Sequence, residues 1–500
     1  MTGDSTIRLV SQSLSALLVA VFLILAGCQS QQNSVTMQEE ARNQVLRNAA
    51  DAARNRLPPS QQKPLVAGAR LPEPPAGGLA RRPEPLASVP EVPSFLPFLT
   101  GRPGVPMQDI PQASPVPPPA TSDTVRIALM LPLSGRNAEI GRAMLKAAQL
   151  AVFDFADSRF ELLILDTAGT PTGAARAVQN AIGDGSRLIL GPLLADSVRA
   201  IAPAARAANV PVVAFSNDSS VAGADIYTMG FLPSAQTARV VSYANQKGIT
   251  RFAAIAPNNT YGVRVVKAME QTVAALGAAT VHVQYYDPQA QDFTDPVRVL
   301  ANYDERRKAL LEQRKALTKE GGEVAKKALK RLENLQTIGD LPFEALLVAD
   351  GGKRLQAVAA LLPFYDIDPG KVQMLGTGQW DEPGIGKEPA LVGGWFAAPP
   401  PTARHAFEVR YRETYGTPAP RLVTLAYDAT ALAAVLSAGQ NAPDFSARTF
   451  HNPSGFWGRD GIFRFSPDGT VERGLAVLQV GRDANRVISK APDSFEKLIN

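Results

Sequence analysis

A single cysteine, Cys28, stands among 500 residues. Alone it excludes a disulfide within the chain, a cysteine zinc site and an iron–sulfur cluster. Histidine is nearly as scarce, with only His282, His405 and His451. There is no Gly-x-Ser-x-Gly elbow, no His-Glu-x-x-His pair and no phosphate-binding glycine loop, so the common nucleophile, metal and nucleotide chemistries lack their carriers. A carboxylate pair could be drawn from Asp196 and Asp350, but no spacing marks one as acid and the other as base. The expectation is a binding protein and not an enzyme, with no cofactor and no metal site. Charge of one sign is also lacking: 51 cations face 46 anions, a net charge of +5. Without a long unbroken basic tract, this balance argues against a nucleic-acid partner. No apolar run reaches the length of a comfortable membrane span; residues 14–25 come nearest.

That run follows Arg8 and meets Leu25-Ala26-Gly27-Cys28, the order of an export signal ending at a cleavage site. The four residues resemble the lipobox of bacterial lipoproteins. The resemblance implies a signal peptide over residues 1–27 and a Cys28 that is acylated and becomes the mature first residue. Several acyl chains hold a protein durably on a bilayer, each CH₂ contributing about 0.8 kcal/mol. Gln29 and Ser30 follow where an Asp would signal retention at the inner membrane, so the resemblance implies the periplasmic side of the outer membrane.

Residues 28–120 read as a disordered, Pro-rich tether. Pro58-Pro59, Pro74-Pro75 and Pro117-Pro118-Pro119, with single prolines between them, fix φ and remove donors, so neither helix nor sheet propagates. At about 3.1 Å per residue the proline-rich part could reach on the order of 100–200 Å. An apolar island at residues 92–99 interrupts it and admits three readings: plain spacer, partner-docking motif or a strap across the folded domain.

The folded domain is expected over residues 121–490. Residues 125–131 form a short apolar run suited to a strand buried on both faces, Pro132 to Gly135 break it, and Met144, Leu145, Ala148, Ala151 and Val152 repeat at helical spacing. Strand, turn and helix then alternate along the chain. Strand ends fall at Asp166-Thr167, Gly191-Pro192, Ser216-Asn217-Asp218, Pro257, Asp350-Gly351-Gly352 and the turn from Thr377 to Trp380. Such alternation means α/β architecture with parallel, doubly wound sheets, whose ligands bind at the carboxyl ends of strands. The insert at 296–340 departs from this rhythm. It reads as a helix pair carrying Arg306, Arg307, Lys326 and Lys327, either an ordinary solvated face or a surface for an acidic partner.

Leu129-Met130-Leu131-Pro132-Leu133-Ser134-Gly135, Gly191-Pro192-Leu193-Leu194, residues 210–214 and Tyr261-Gly262 resemble the type I periplasmic binding fold of branched-chain amino-acid receptors. More narrowly, Leu-Pro-Leu-Ser-Gly with Asp166-Thr167, Gly191-Pro192-Leu193 and a charged helical insert is similar to the C-terminal domain of outer-membrane lipoproteins that activate class A penicillin-binding proteins. The helical-repeat N-terminal domain of that activator's best-known form is replaced here by the Pro-rich spacer. The resemblance implies two lobes, each a doubly wound and mostly parallel sheet, with three hinge crossings. Lobe 1 is expected at about 123–231 and 376–447, lobe 2 at about 232–375 and 448–488.

On that fold the cleft would be lined by Ser134, Asp196, Ser197, Ser216 and Asn217 from the first lobe, and by Tyr261, Asp350 and Trp380 from the second. Short hydroxyls and turn amides suit a carboxylate, and in any case serve turns and helix caps; Asp196 is expected to cap a helix starting at Ser197. An ammonium needs an acid, and where the receptors place theirs this chain has Pro233 and Thr377-Gly378-Gln379. Two functions are therefore expected. The first is a lipoprotein that binds and stimulates a class A penicillin-binding protein. The alternative is the substrate-binding lipoprotein of a branched-chain amino-acid or amide ABC transporter, with a small-molecule ligand in the cleft.

Overall fold

The structure, a computed structural model, describes residues 124–438 and 442–495 apart from the side chain of Ala403. The expected signal peptide, Cys28 and the tether lie outside the described residues.

The chain opens the first lobe with β1 (Val125–Leu131), α1 (Ala138–Phe155), β2 (Phe160–Asp166), α2 (Pro171–Gly183), β3 (Leu188–Leu190), α3 (Ala195–Ala207), β4 (Val212–Ala214) and β5 (Ile226–Thr228). The five strands are parallel in the order β2-β1-β3-β4-β5. β1 is buried along its length except at Arg126, which pairs with Glu161 on β2 at 2.8 Å. An apolar strand covered on both faces must sit inside the sheet, and β1 does. Strand order reverses between β1 and β3, so the turns after these two strands flank the crevice where open α/β sheets take ligands.

Crossing at residues 230–232, the chain builds the second lobe from α4 (Pro233–Gln246), β6 (Arg251–Pro257), α5 (Thr260–Ala275), β7 (Ala279–Tyr286), α6 (Thr294–Leu300), α7 (Tyr303–Glu320), α8 (Gly322–Leu332), β8 (Ala345–Val348), α9 (Gly352–Leu361), β9 (Gln373–Gly376) and β10 (Trp395–Ala398). It returns to the first lobe for α10 (Pro401–Tyr415), α11 (Val423–Ser437), α12 (Ala447–Phe450) and a small antiparallel sheet of β11 (Phe456–Gly458), β12 (Gly461–Phe465) and β13 (Val471–Arg473). It crosses a third time to add β14 (Ala476–Gln479) and β15 (Arg486–Ser489). These two run antiparallel at the edge of a seven-stranded sheet ordered β15-β14-β10-β9-β8-β6-β7, whose other strands are parallel.

The lobes repeat one device. A Cβ at Gly141 would lie 2.0 Å from the Pro132 carbonyl oxygen, and one at Gly262 would lie 2.0 Å from that of Pro257. In each lobe only glycine lets the helix after the first strand press its opening turn against the strand end. α11 is apolar almost all round, with twelve of its fifteen residues buried. A helix of that kind belongs inside a core, and it lies between α1 and the rings of the small sheet in one cluster with Met144, Leu425, Phe463 and Phe465.

The two-lobed α/β fold with three crossings is as expected, but the second and third crossings are displaced. β9 and β10 lie in the second lobe's sheet, so the return comes at Pro399-Pro400-Pro401 and not near residue 376. The cause is Trp380: its fully buried ring fills the second lobe's core beside Phe396 and Leu391, which keeps the turn after β9 in that lobe. Residues 448–473 likewise stay with the first lobe, because Phe450, Phe463, Phe465 and Val471 pack on Tyr227 and Met229. The turn Ser466-Pro467-Asp468-Gly469 joins β12 to β13.

Candidate functional site

Between the lobes, beside the first two crossings, lies a cavity of about 290 Å³. The first lobe and its hinge contribute Asn217, Phe231, Arg421 and Leu422. The second contributes Pro233, Gln236, Tyr261, Gly378, Gln379, Asp381 and Glu382. Asn259 caps α5 by accepting from the Gly262 amide at 2.9 Å, which sets Tyr261 on the helix's first turn. Its phenol pairs with the Thr377 hydroxyl at 2.7 Å. Burial, with a smaller push from the Asp350 charge, holds that phenol far above its ordinary pKa despite the hydrogen bond. Gln236 accepts from the Gly378 amide at 3.0 Å, fixing the turn after β9 against α4.

Two sets of ion pairs cross the cleft. Asp218, two residues beyond the strand-end Ser216, meets Arg264 of α5 at 2.6 Å and Arg199 of its own lobe at 3.0 Å. Its side chain is only 9% exposed. Burial alone would raise its carboxyl, but the Arg264 and Ser220 hydrogen bonds prevail and bring it down to about 2. On the hinge side, Asp381 of the second lobe accepts from Arg404 of α10 at 3.0 Å and lies 3.6 Å from Arg421. Arg421 in turn reaches the fully buried Asp460 at 2.9 Å and stacks over Phe231, 4.1 Å from the ring centre. The cleft is thus closed by the chain's own charges.

Of the eight residues expected in the cleft, Asn217 and Tyr261 line the cavity. The others do not, each for a local reason. The exposed Ser134 bonds Asp166, which also accepts from the Leu133, Ser134 and Ala168 amides. Burial pushes the Asp166 carboxyl up, and these bonds bring it below its ordinary value. Ser216 is spent accepting from the Asp218 amide at 3.1 Å. Ser197 is buried in the first turn of α3 and its hydroxyl has no partner among the described residues. Asp196 does not cap α3: the helix starts two residues earlier than expected, at Ala195, and Asp196 pairs with Arg199. Asp350 is buried and occupied by the Tyr286 hydroxyl, the Gly351 amide and Arg354. Trp380 is core.

The expected absence of an acid is overturned. Pro233, Gly378 and Gln379 do line the cavity, but Asp381 and Glu382 follow them there. Glu382 has no ion pair among the described residues, and burial together with the Asp350 charge raises its carboxyl above the usual range, against the Gly352 amide that lowers it. What the cavity lacks instead is a seat for a carboxylate. Ser134, Ser197 and Ser216 do not line it, and Arg421, its one guanidinium, is already held by acids.

If the Asp218–Arg264 pair latches the lobes, Arg264→Gln should cost about 1 kcal/mol and let them part. Solution X-ray scattering should then report a larger radius of gyration. An unchanged scattering profile would rule the latch out.

Two doubly wound lobes joined by three crossings around a polar cleft define a two-lobed binding protein. A model of the periplasmic binding protein family matches residues 124–485, and the chain belongs to that family. Its family and fold are those of binding proteins. Among solved structures it is similar to a leucine-binding protein from Thermotoga maritima, with 20% identity, 74% of this chain and 99% of that one covered, and a TM-score of 0.51. It is also similar to an ABC transporter substrate-binding protein from Sphaerobacter thermophilus, with 18% identity, coverage of 74% and 98%, and a TM-score of 0.55. Among curated proteins it matches an uncharacterised protein of Rickettsia prowazekii, 21% identical over 178 residues, 36% of this chain. The match spans about half the length of that relative (47%).

Proposed function

We propose that this protein is an outer-membrane lipoprotein that binds a class A penicillin-binding protein and stimulates peptidoglycan synthesis. On this reading residues 1–27 are the signal peptide, acylated Cys28 is the anchor, the tether spans the wall mesh and the two lobes are the docking module. The observation that carries it is the cleft itself: ion pairs join both lobes across it and its guanidinium, Arg421, is held by acids, which supports closure by the chain's own charges and not by ligand capture.

The basic insert supports the same reading, with a change of contact residues. Residues 303–333 hold ten cations and six anions. Arg306 donates to the Ala301 and Gly339 carbonyls, Arg307 to Gln336 and Tyr303, and Arg314 to the carbonyls of Leu332, Glu333 and Leu335. Arg314 ties α7 to the end of α8, and Arg306 and Arg307 tie α7 to the segments flanking the pair. Lys326 pairs with Glu323. That leaves Lys308, Lys315, Lys319, Lys327, Lys330 and Arg331 exposed and without an ion pair among the described residues. They form the surface offered to an acidic partner. The full protein added to a class A penicillin-binding protein should raise its rate of glycan polymerisation or crosslinking. Lys327→Glu with Lys330→Glu should weaken the complex about tenfold, roughly 1.4 kcal/mol. No stimulation by the wild-type protein would refute the reading.

A second reading, the substrate-binding lipoprotein of an amino-acid or amide ABC transporter, is favoured by Asp381 and Glu382 in the cavity, since an acid there suits an ammonium. The similarity to a leucine-binding protein and to an ABC transporter substrate-binding protein points the same way.

A further inference from the structure

Besides the three crossings, a fourth stretch of chain links the lobes. β15 ends at Ser489 in the second lobe, paired with Val477 of β14. Beyond it, residues 490–495 leave that sheet and run to the first lobe. Their root is held from the second lobe. Arg239 of α4 donates to the Ser489 hydroxyl at 2.6 Å and to the Lys490 carbonyl at 3.5 Å, and Ala491 packs against that lobe's core. The far end is held by the first lobe, where the Arg464 guanidinium of β12 lies over the Phe495 ring, 4.4 Å from its centre.

The first lobe is shaped for this contact. Arg464 is fixed by Glu472 of β13 at 2.7 Å and by the Pro453 carbonyl at 3.1 Å. A Cβ at Gly455 would come within 2.9 Å of the Phe495 ring, and one at Gly474, in the third crossing, within 3.1 Å of the Pro492 carbonyl. Glycine at both positions lets the strap lie close. From Ala491 to Phe495 the chain advances four residues, which fully extended span at most about 14 Å, and Pro492 stiffens the stretch by fixing its own φ. With so little slack, the lobes cannot swing apart at this edge while Phe495 keeps its seat.

The strap and the ion pairs of the cleft act on different sides of the first crossing. On α4, Pro233 and Gln236 line the cleft, whereas Ala238 and Arg239 line an open groove of about 830 Å³ whose wall includes Lys490 and Pro492. The ion pairs resist parting at the cleft, and the strap resists a swing that would widen the groove. We propose that residues 490–495 are a conformational lock: seated under Arg464, Phe495 holds the lobes at one angle, and its release frees the hinge to rock toward the groove side. One ring on one guanidinium is a modest hold, as a reversible lock requires. The lock does not depend on which function the cleft or the insert serves.

The test is double electron–electron resonance between nitroxides at the exposed positions Asp184→Cys of the first lobe and Lys353→Cys of the second, in the full chain carrying Cys28→Ser. A single narrow distance distribution is expected. Phe495→Ser should broaden it by about twofold, and Arg464→Gln, which removes the cation and leaves the ring, should broaden it as well. Phe495→Trp keeps a ring for Arg464 and should leave the distribution narrow. An unchanged distribution in Phe495→Ser overturns the inference, as does a broad one in the otherwise wild-type chain or in Phe495→Trp.

Discussion

Replacing Arg473 by methionine should lower the stability of the folded domain by about 3–5 kcal/mol, the usual cost of removing one partner from a buried ionic cluster. Arg473 lies between the rings of Phe231 and Phe463, 5.0 and 5.2 Å from their centres. It is a buried cation whose charge acts on two buried acids, Asp428 and Asp460, 4% and 0% exposed, without a direct ion pair to either. Burial lowers the Arg473 pKa while both acids oppose that shift, so the charges hold one another in place. Without Arg473, Arg421 alone reaches Asp460, and Asp428 keeps only the Arg459 amide, at 2.8 and 3.0 Å, with more distant charge. Methionine retains most of the volume, so the loss would report charge and not a cavity. Denaturant unfolding at pH 7 measures it. Adding Asp460→Asn should restore part of the loss, because it removes one of the two buried acids that Arg473 offset and its repulsion of Asp428. A loss under about 1 kcal/mol would mean the cluster contributes little to holding the hinge.

The second large effect is on pH. Burial, reinforced by repulsion from Asp460, pushes the Asp428 carboxyl up to about 7, against the lowering by the Arg459 amide and the charges of Arg473 and Arg459. Its unfolded value is near 3.8. Between these two values the folded state keeps a proton that the unfolded state releases, so stability falls as pH rises from about 4 to about 7, by up to roughly 4 kcal/mol. Asp218 acts with the opposite sign. Its carboxyl is held at about 2, so its contribution is present above about pH 4 and is lost as the pH drops through 2. Stability should therefore peak near pH 4–5. Asp428→Asn should flatten the fall above that peak while leaving the acid limb in place. A wild-type profile that rises between pH 4 and 7 would show that Asp428 is ionised in the folded protein throughout.

Much of this fold was legible because buried parallel strands announce themselves. The run from Val125 to Leu131 and the repeated turn chemistry after each strand located β1 through β9 and the helices between them. The lobe boundaries were not legible from turns alone. The Thr377 to Trp380 turn looks like an exit from a sheet, and only packing shows that Trp380 folds back into the second lobe, where its ring would be 2.2 Å from a Cβ at Gly376. The stronger punctuation was Pro399-Pro400-Pro401, where the chain does leave.

The cleft was less legible still. Ser134, Ser197 and Ser216 have the right chemistry at the right strand ends, but whether a hydroxyl faces the cavity or its own turn depends on a rotation of a few ångströms that no spacing encodes. The residues that do occupy the cleft lay one to three positions further on. Asp218 follows Ser216-Asn217, Arg264 follows Tyr261 by one helical turn, and Asp381-Glu382 follow Gln379. Their pairing joins residues 46 positions apart for Asp218 with Arg264, a contact made only when two separately folded lobes meet. Likewise, the carbonyl partners of Arg306 and Arg307 could not be seen from charge patterning, which marks cations without saying which are committed to the backbone.

The central claim is that the chain's own ion pairs close the cleft and that it is not built to receive a free amino acid. The most direct test is calorimetric titration of the full protein with each of the twenty free amino acids. An α-carboxylate buried without a partner loses its hydration at a cost of several kcal/mol, and here the first-lobe serines do not line the cavity and its guanidinium is held by acids. The account predicts no binding tighter than about 100 μM, roughly −5.5 kcal/mol. Sub-micromolar binding of leucine, isoleucine or another amino acid, weakened by replacing Glu382 or Asn217 with alanine, would contradict it and make this protein a transport receptor.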